Sequence, residues 1–390
     1  MALHDSALQN FETPAVPALH PVPSPVRAPV RATASAPAHP RTLRRAPIRR
    51  APIRRATVCI PAKNEAARLP ATLHALADAA ALAHAAGVTV DVVVALDGCT
   101  DNSRDVLRRI SADYPARLRR VEIPAIGVPH AGRARRAAME AGLSLHARDQ
   151  ALLTTDADTR VAKDWIVETA AALRHTDLVA GWVDWDTETA VDELMEQEHY
   201  FSDLHRLRRR LDPVPFDARD PHHKMYGASL GIRATAYRRI GGLPELPSSE
   251  DVAMTRAVRL AGLRMRQDRA VRVLTSTRRS GRAVGGFSDA ILSDAARARR
   301  GEVQRVECPD TLARGYVRSA RLRRAFERGD HAGARRIGND IPDVEFDQAW
   351  AASSTGDAFV TRLLEPAPPA PRISLARARA RVASLLEAAP

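Results

Sequence analysis

The 390-residue sequence is poor in the features that mark several protein classes. Three cysteines, Cys59, Cys99 and Cys308, are too few and too scattered for a disulfide scaffold or a zinc knuckle. They read as free thiols of a reducing compartment. No window approaches the ~18 uninterrupted apolar residues of a membrane span. The most alanine-rich stretch, 71–96, is broken by His74, Asp78, His84 and Asp91. The N-terminus lacks the basic-then-apolar order of a secretory signal, so export is not expected. Aromatic residues make up 4% of the chain and no RNA or DNA motif is present, so nucleic acid is not an expected partner despite a net charge of +13.

That charge is unevenly placed. Residues 1–56 hold ten prolines, nine arginines and only two acids (Asp5 and Glu12), hence +7, which leaves +6 for the other 334 residues. Arg44 to Ala56 reads RRAPI-RRAPI-RRA, a five-residue repeat. Such a composition cannot bury enough apolar area to offset the entropy of ordering it, so 1–56 is expected to be a disordered basic arm. The prolines argue against the amphipathic helix of an organelle transit peptide.

From Thr57 the pattern changes. Strand-like runs at 57–61, 91–96, 118–123 and 151–155 alternate with helical patterns at 69–86, after Asp101 (a candidate N-cap) and at 130–142. This β-α-β-α-β-α-β order predicts parallel strands with helices on both faces, a fold in which ligands sit beyond the carboxyl ends of the strands. Polar clusters fall at three of those ends: Ala62-Lys-Asn-Glu65, Asp97-Gly-Cys-Thr-Asp101 and Asp156-Ala-Asp158. Further on, 178–186, 227–232 and 263–275 read as strands and 189–211 as a charged helix. The spacing predicts a short helix over 233–240 and a longer one opened by Ser249-Glu-Asp251. Residues 301–390 read as a loosely packed helical extension without legible chemistry.

Each cluster has two readings. Asp156 and Asp158 form a D-x-D, either a solvated turn or a pair that holds a divalent cation together with phosphate oxygens. Asp97 before glycine is either turn chemistry or an acceptor for the N–H groups of a base. Asn64 and Glu65 either start a helix or accept hydrogen bonds from a base or ribose. Glu250 and Asp251 either complement a helix dipole or take a proton from an attacking hydroxyl. His222 and His223 are adjacent, poorly placed to share one metal, and read as loop residues. Trp182 and Trp185 share a strand and are expected to face one side, as a sugar-stacking platform or as core.

Taken in order, these motifs resemble the inverting family 2 glycosyltransferases of the GT-A fold. The resemblance runs from Thr57 to Asp289, about three-fifths of the chain. Val58-Cys-Ile-Pro-Ala-Lys-Asn-Glu65 is similar to the family's V-x-I-P-A-x-N-E strand, and Asp97-Gly-Cys-Thr-Asp-Asn-Ser103 to its D-G-S-T-D-N-T loop. Asp156-Ala-Asp158 is similar to its D-x-D, Gly227-Ala-Ser229 to its acceptor-side strand, and Gly241-Gly242 with Glu250-Asp251 to its G-G…E-D pair. The resemblance implies an α/β GT-A domain over 57–300, with a nucleotide-binding half, an acceptor-binding half and a mixed sheet, followed by the helical extension 301–390. It implies that Pro61, Ala62, Asn64 and Glu65 line the nucleoside pocket and that Asp97 holds the base. It places Asp156 at the ribose side and gives Asp158 a Mn²⁺ or Mg²⁺ bridging the diphosphate. Asp251 becomes the general base, supported by Glu250, with Gly227, Ala228 and Trp182 on the acceptor side. Arg133, Arg278 and Arg282 are the candidate diphosphate cations.

The implied activity is metal-dependent transfer of a sugar from a nucleotide diphosphate sugar to a hydroxyl acceptor, lipid-linked or small. A retaining GT-A enzyme and a catalytically silent nucleotide-sugar-binding protein are the alternatives. No Q-x-x-R-W follows the Glu-Asp pair, so a processive synthase is not implied, and no G-x-G-T-R loop follows the first strand, as a nucleotidyltransferase would need. Cys99 stands for the common Ser, Leu243 for an aromatic, and no histidine follows the 263–275 strand, which leaves Asp158 as the expected protein ligand. The expected location is the cytoplasm, with the arm in peripheral contact with the anionic inner membrane face.

Overall fold

Near-continuous apolar strands need cover on both faces, and the sheet provides it. In a computed structural model that describes residues 50–124, 130–143, 147–186, 192–276, 300–365 and 370–389, the strands β1 (Arg55–Ala62), β2 (Thr89–Asp97), β3 (Arg117–Ile123) and β4 (Gln150–Thr154) run parallel. Cys59 pairs with Val93 on one side and Thr154 on the other. The chain divides into Met1–Arg41, outside the described residues, and Thr42–Pro390, which holds everything below.

The sheet continues through β5 (Thr159–Val161), β6 (Leu178–Trp185), β7 (Leu230–Arg233) and β8 (Met265–Thr275) in the order β3-β2-β1-β4-β7-β6-β8-β5. β7 is antiparallel to β4 and to β6, and β5 is antiparallel to β8, so the eight-stranded sheet is mixed. On one face lie α1 (Leu69–Ala85) and α4 (Trp165–Ala172), whose Leu69, Leu73, Leu76, Trp165 and Ile166 are fully buried. Removing each such side chain from water is worth about 1.5–3 kcal/mol. On the other face lie α3 (Ala131–Gly142), α6 (Ala234–Arg239) and α7 (Glu250–Leu260), through Met139, Tyr237, Met254 and Val258. This is the GT-A architecture expected from the resemblance.

Four sequence expectations change. The arm was drawn to residue 56, yet Ile53 is 4% exposed and Arg50 Nε donates to Asp177 Oδ1 at 2.8 Å, so residues 50–56 pack on the domain; 1–49 lie outside the described residues. Residues 227–232 were expected to be strand, but Gly227–Ser229 is a 3₁₀ turn that leads into β7. The segment 301–390 is not loose. Its helices α8 (Pro309–Glu327), α9 (His331–Ile337), α10 (Asp343–Ala351), α11 (Gly356–Leu364) and α12 (Leu375–Ala388) enclose two apolar clusters of their own. Phe326, Phe346, Trp350 and Phe359 form one, while α12 and Val306 pack with Tyr200, Leu204 and Leu207 of α5 (Asp192–Leu211) to form the other. A strand pair, β9 (Arg305–Glu307) and β10 (Arg372–Ser374), was also not foreseen. Finally, Trp182 is half-buried and Trp185 is 9% exposed; three residues apart, they do not share a strand face.

Gly181 lets β6 approach its neighbours. A Cβ there would lie 2.2 Å from Ser229 Oγ and 2.4 Å from Val271 O. Gly181→Ala is expected to destabilise the fold by about 1–3 kcal/mol, read as a lower urea midpoint at unchanged m-value.

Candidate functional site

The helix α3 crosses the ends of several strands, and its sequence Gly132-Arg-Ala-Arg-Arg136 sends arginines in different directions. Arg133 and Arg135 are two residues apart, hence on nearly opposite sides of a helix with 3.6 residues per turn. Gly132 permits the close approach of the chain at Leu246, whose carbonyl oxygen would lie 2.2 Å from a Cβ.

Arg133 points to the end of β2, where its Nη2 donates to Asp97 Oδ1 at 2.5 Å. The other Asp97 oxygen accepts from the amide of His130 at 3.2 Å, and His130 Nδ1 accepts from the Arg133 amide at 3.1 Å, capping α3. Asp97, assigned to a base by the sequence, is 1% exposed with both oxygens engaged. Arg133, assigned to a diphosphate, is its ion-pair partner.

Arg135 was not singled out by the sequence reading and is the centre of the site. It is 3% exposed. Its Nε donates to Glu250 Oε1 at 3.0 Å and its Nη2 to Asp156 Oδ1 at 2.8 Å. Its Nη1 donates to Thr154 Oγ1 at 2.6 Å and to Gly227 O at 2.8 Å. One guanidinium therefore joins the ends of β4, β7 and α7. Burial alone would lower its pKa; the carboxylates of Asp156, Glu250 and Asp251 outweigh that and raise it. Gly227 is required here, since a Cβ would meet Arg135 Nη2 at 2.6 Å. A signal was available: Gly132, Arg135, Met139 and Gly142 form one buried stripe of α3, and an arginine on an apolar stripe needs a buried partner.

Asp251 sits beside this network, half-buried, on the first turn of α7. Its Oδ2 accepts from the Gly227 amide at 2.8 Å and its Oδ1 from the Val252 amide at 2.7 Å. Burial, and then the Glu250 carboxylate beside it, push the Asp251 carboxyl up to about 6, against the pull of Arg135 and the two amides. The expected Ser249 cap makes no side-chain bond; Ser249 instead takes φ +60°, in the left-handed region, to turn the chain into α7.

The β1 and β2 loops are tied together. Asn64, at φ +54°, accepts from the Thr100 amide at 2.7 Å, while its own amide donates to Cys99 Sγ at 3.3 Å. Asp101 accepts from the Ala66 amide and from the Ser103 amide, each at 3.0 Å, and Ser103 heads α2 (Ser103–Ser111). Lys63 donates to Gly98 O. Pro61 is half-buried; Ala62 and Glu65 are buried at 3% and 5% exposure. The Glu65 amide donates to Ser103 Oγ at 3.0 Å, and its carbonyl accepts from the amides of Arg68 and Leu69.

Trp182 is engaged as well. Lys224 Nζ lies 4.0 Å from its ring centroid and 3.9 Å from that of Trp185, the Arg269 guanidinium lies 3.8 Å from Trp182, and His222 packs edge-on at 5.5 Å. Lys224 pairs with Glu198 at 2.9 Å. Burial pushes the His222 imidazolium down to about 3, so the ring is neutral. Both histidines lie in a loop, as expected. Ala228, buried at 4% exposure, follows Gly227 in the 3₁₀ turn. Arg278 and Arg282 lie outside the described residues.

A cation would find two carboxylates here. Asp156, with its side chain 35% exposed, shares one oxygen with Arg135, and Asp158 stands half-buried two residues on. Among the described residues no group of three or more His, Cys, Asp or Glu side chains is arranged to hold a metal. Aspartate carboxylates are donors of the type a hard divalent cation takes, together with phosphate oxygens and water.

Residues 57–230 match the model of glycosyl transferase family 2. These residues are a family 2 glycosyltransferase domain. Glu250 and Asp251 lie beyond the matched segment. No curated protein matches the sequence. Among solved structures, S. aureus TarS 1–349 in complex with UDP-GlcNAc is 13% identical, with a TM-score of 0.44, over 79% of this chain and 89% of that one. The mannosyltransferase PcManGT from Pyrobaculum calidifontis, in complex with GDP-Man and Mn²⁺, is 17% identical, with a TM-score of 0.43, over 82% of this chain and 89% of that one.

In this transferase domain Arg135 neutralises carboxylates that cannot be left alone. Arg135→Ala strands Glu250, itself 5% exposed, and removes one partner of Asp156. The expected loss is about 3–5 kcal/mol in denaturant unfolding, with a smaller loss for Arg135→Lys, which keeps the charge but not the fork.

Proposed function

We propose that this chain transfers a sugar from a nucleoside diphosphate sugar to a hydroxyl acceptor with inversion, Asp251 serving as the general base. The observation that carries this reading is the Asp251 carboxylate: oriented by the amides of Gly227 and Val252, pushed up to about 6, and joined through Gly227 and Arg135 to the D-x-D. A base with a pKa near 6 is ionised at neutral pH and still accepts a proton well.

In the proposed step an Asp251 oxygen takes the proton of the acceptor hydroxyl. The hydroxyl oxygen attacks the anomeric carbon from the face opposite the diphosphate, and the bond from that carbon to the diphosphate oxygen breaks with its electron pair. One carboxylate on the acceptor side is sufficient, because no glycosyl-enzyme has to form. Arg135 holds Glu250 and Asp156 in place, and its positive charge favours ionised Asp251 at working pH. A divalent cation, Mn²⁺ or Mg²⁺, when held by Asp158 and Asp156, would neutralise charge on the departing diphosphate. Asp97 acts through Arg133 in this reading: the carboxylate holds the guanidinium at the β2 end, where the base would dock. The acceptor is a hydroxyl compound whose remaining chemistry would be set by the 178–230 region. Among the described residues no helix is long and apolar enough to cross a membrane.

Asp251→Asn is expected to lower kcat by roughly 10²–10⁴-fold with little change in donor KM. Since the ionised form acts, kcat/KM of the unsubstituted enzyme should fall about tenfold per pH unit below about 6 and level off above it. Full turnover by Asp251→Asn would remove the base assignment, and a product that keeps the donor's anomeric configuration by NMR would remove inversion. Asp158→Ala is expected to abolish stimulation by Mn²⁺ in the same assay; unchanged stimulation would refute that assignment.

A further inference from the structure

A cavity of about 880 Å³ lies in the helical C-terminal segment, and none of its lining residues belongs to the site described above. Its floor is the outer surface of the cluster between α5, α8 and α12: Leu207, Leu211 and Leu385, with Ile337 of α9 beside them. Leu207 and Leu211 lie nine and thirteen residues beyond Glu198 on α5, about 14 and 20 Å along that helix. Val317, 38% exposed, projects at the edge.

The rim is cationic. Arg314, Arg318 and Arg321 follow one another at i, i+4 and i+7 on α8, and Arg336 faces them from α9. Like charges at this spacing repel each other. Arg318 pairs with Asp340, and among the described residues Arg314 donates to Thr311 Oγ1, at 3.1 Å, one turn beyond Asp310. Arg321 and Arg336 are exposed and make no ion pair or hydrogen bond among the described residues. The one acid on the rim, Asp310, is held by Arg381 at 2.7 Å.

We infer that this groove binds a single-chain lipid phosphate, its hydrocarbon chain on the leucine floor and its phosphate between Arg314, Arg321 and Arg336. Apolar lining with a few convergent cations is the pattern of a small-ligand pocket, and 880 Å³ lies within the usual ligand range. A folded protein partner would need a footprint of roughly 800 Å² on each side, broader than this groove offers. Residues 1–49 hold six arginines against two acids and so share the sign of the rim, as does the same rim of a second copy. The arm and the groove instead favour the same kind of ligand surface, one carrying lipid phosphates. The inference does not rest on the transferase reading, because its test reads binding and not transfer.

The test titrates the full chain calorimetrically with dodecyl phosphate below its micelle concentration, with dodecyl maltoside and inorganic phosphate as separate arms. The expected result is 1:1 binding of dodecyl phosphate, at least tenfold weaker binding of the other two, and weakening by added salt. Arg321→Ser/Arg336→Ser and, independently, Val317→Asp should each reduce affinity at least tenfold at unchanged Tm, since all three side chains are exposed. Equal binding by both variants would overturn the inference. So would equal binding of inorganic phosphate or of the neutral detergent, or displacement of dodecyl phosphate by an acidic amphipathic peptide and not by a longer alkyl phosphate.

Discussion

A buried guanidinium needs acceptors on all its edges, and Arg135 finds them on three separate pieces of chain. Thr154 and Asp156 come from the end of β4, Gly227 from the turn before β7, and Glu250 from the start of α7. The three pieces lie far apart in sequence, so the ion network can form only when the sheet and α7 are already in register. The converse also holds. Without the arginine, acids gathered at one point would repel each other and draw in water, and the strand ends would have no reason to converge.

The same helix serves the neighbouring strand end through Arg133, whose partner Asp97 closes β2. α3 thereby distributes charge along the row of strand ends, one arginine to each acidic cluster. Where backbone has to turn sharply to deliver a side chain, the structure accepts left-handed conformations outside glycine: Asn64 just before Glu65, and Ser249 just before Glu250. For serine this costs roughly 1–2 kcal/mol, and asparagine tolerates it better. Both sit at candidate site loops, consistent with strain being retained where position matters more than stability.

Much of the parallel half was legible because β1, β2 and β4 are buried on both faces and so appear as near-continuous apolar runs. The polar clusters stand out at their ends by contrast. The acceptor half was harder. β5 is three residues long and takes its place only by pairing with β8, more than a hundred residues away. Gly-Ala-Ser before an apolar run reads as more strand, yet Arg135 holds it in a turn by its carbonyl. Arg135 itself sits among arginines of identical local appearance; only its place on the stripe with Met139 separates it from Arg133 and Arg136. Around Trp182 the sequence showed the rings but not Lys224 and Arg269, the cations that lie over that indole. The aromatic cluster of Phe326, Phe346, Trp350 and Phe359 was invisible because its members come from three different helices.

The antiparallel junction of β4 and β7 has a consequence for how such a protein can diversify. Because Thr154 pairs with Leu230 and Ala151 with Arg233, the parallel half and the half built from β6, β7 and β8 are one continuous hydrogen-bonded sheet and not two bodies on a hinge. Changes in the connections beyond β6 and β7 can therefore accumulate without moving the carboxylates after β4, as their positions are inherited through the ladder. Those connections become modular parts, exchangeable on a frame whose charge geometry stays fixed.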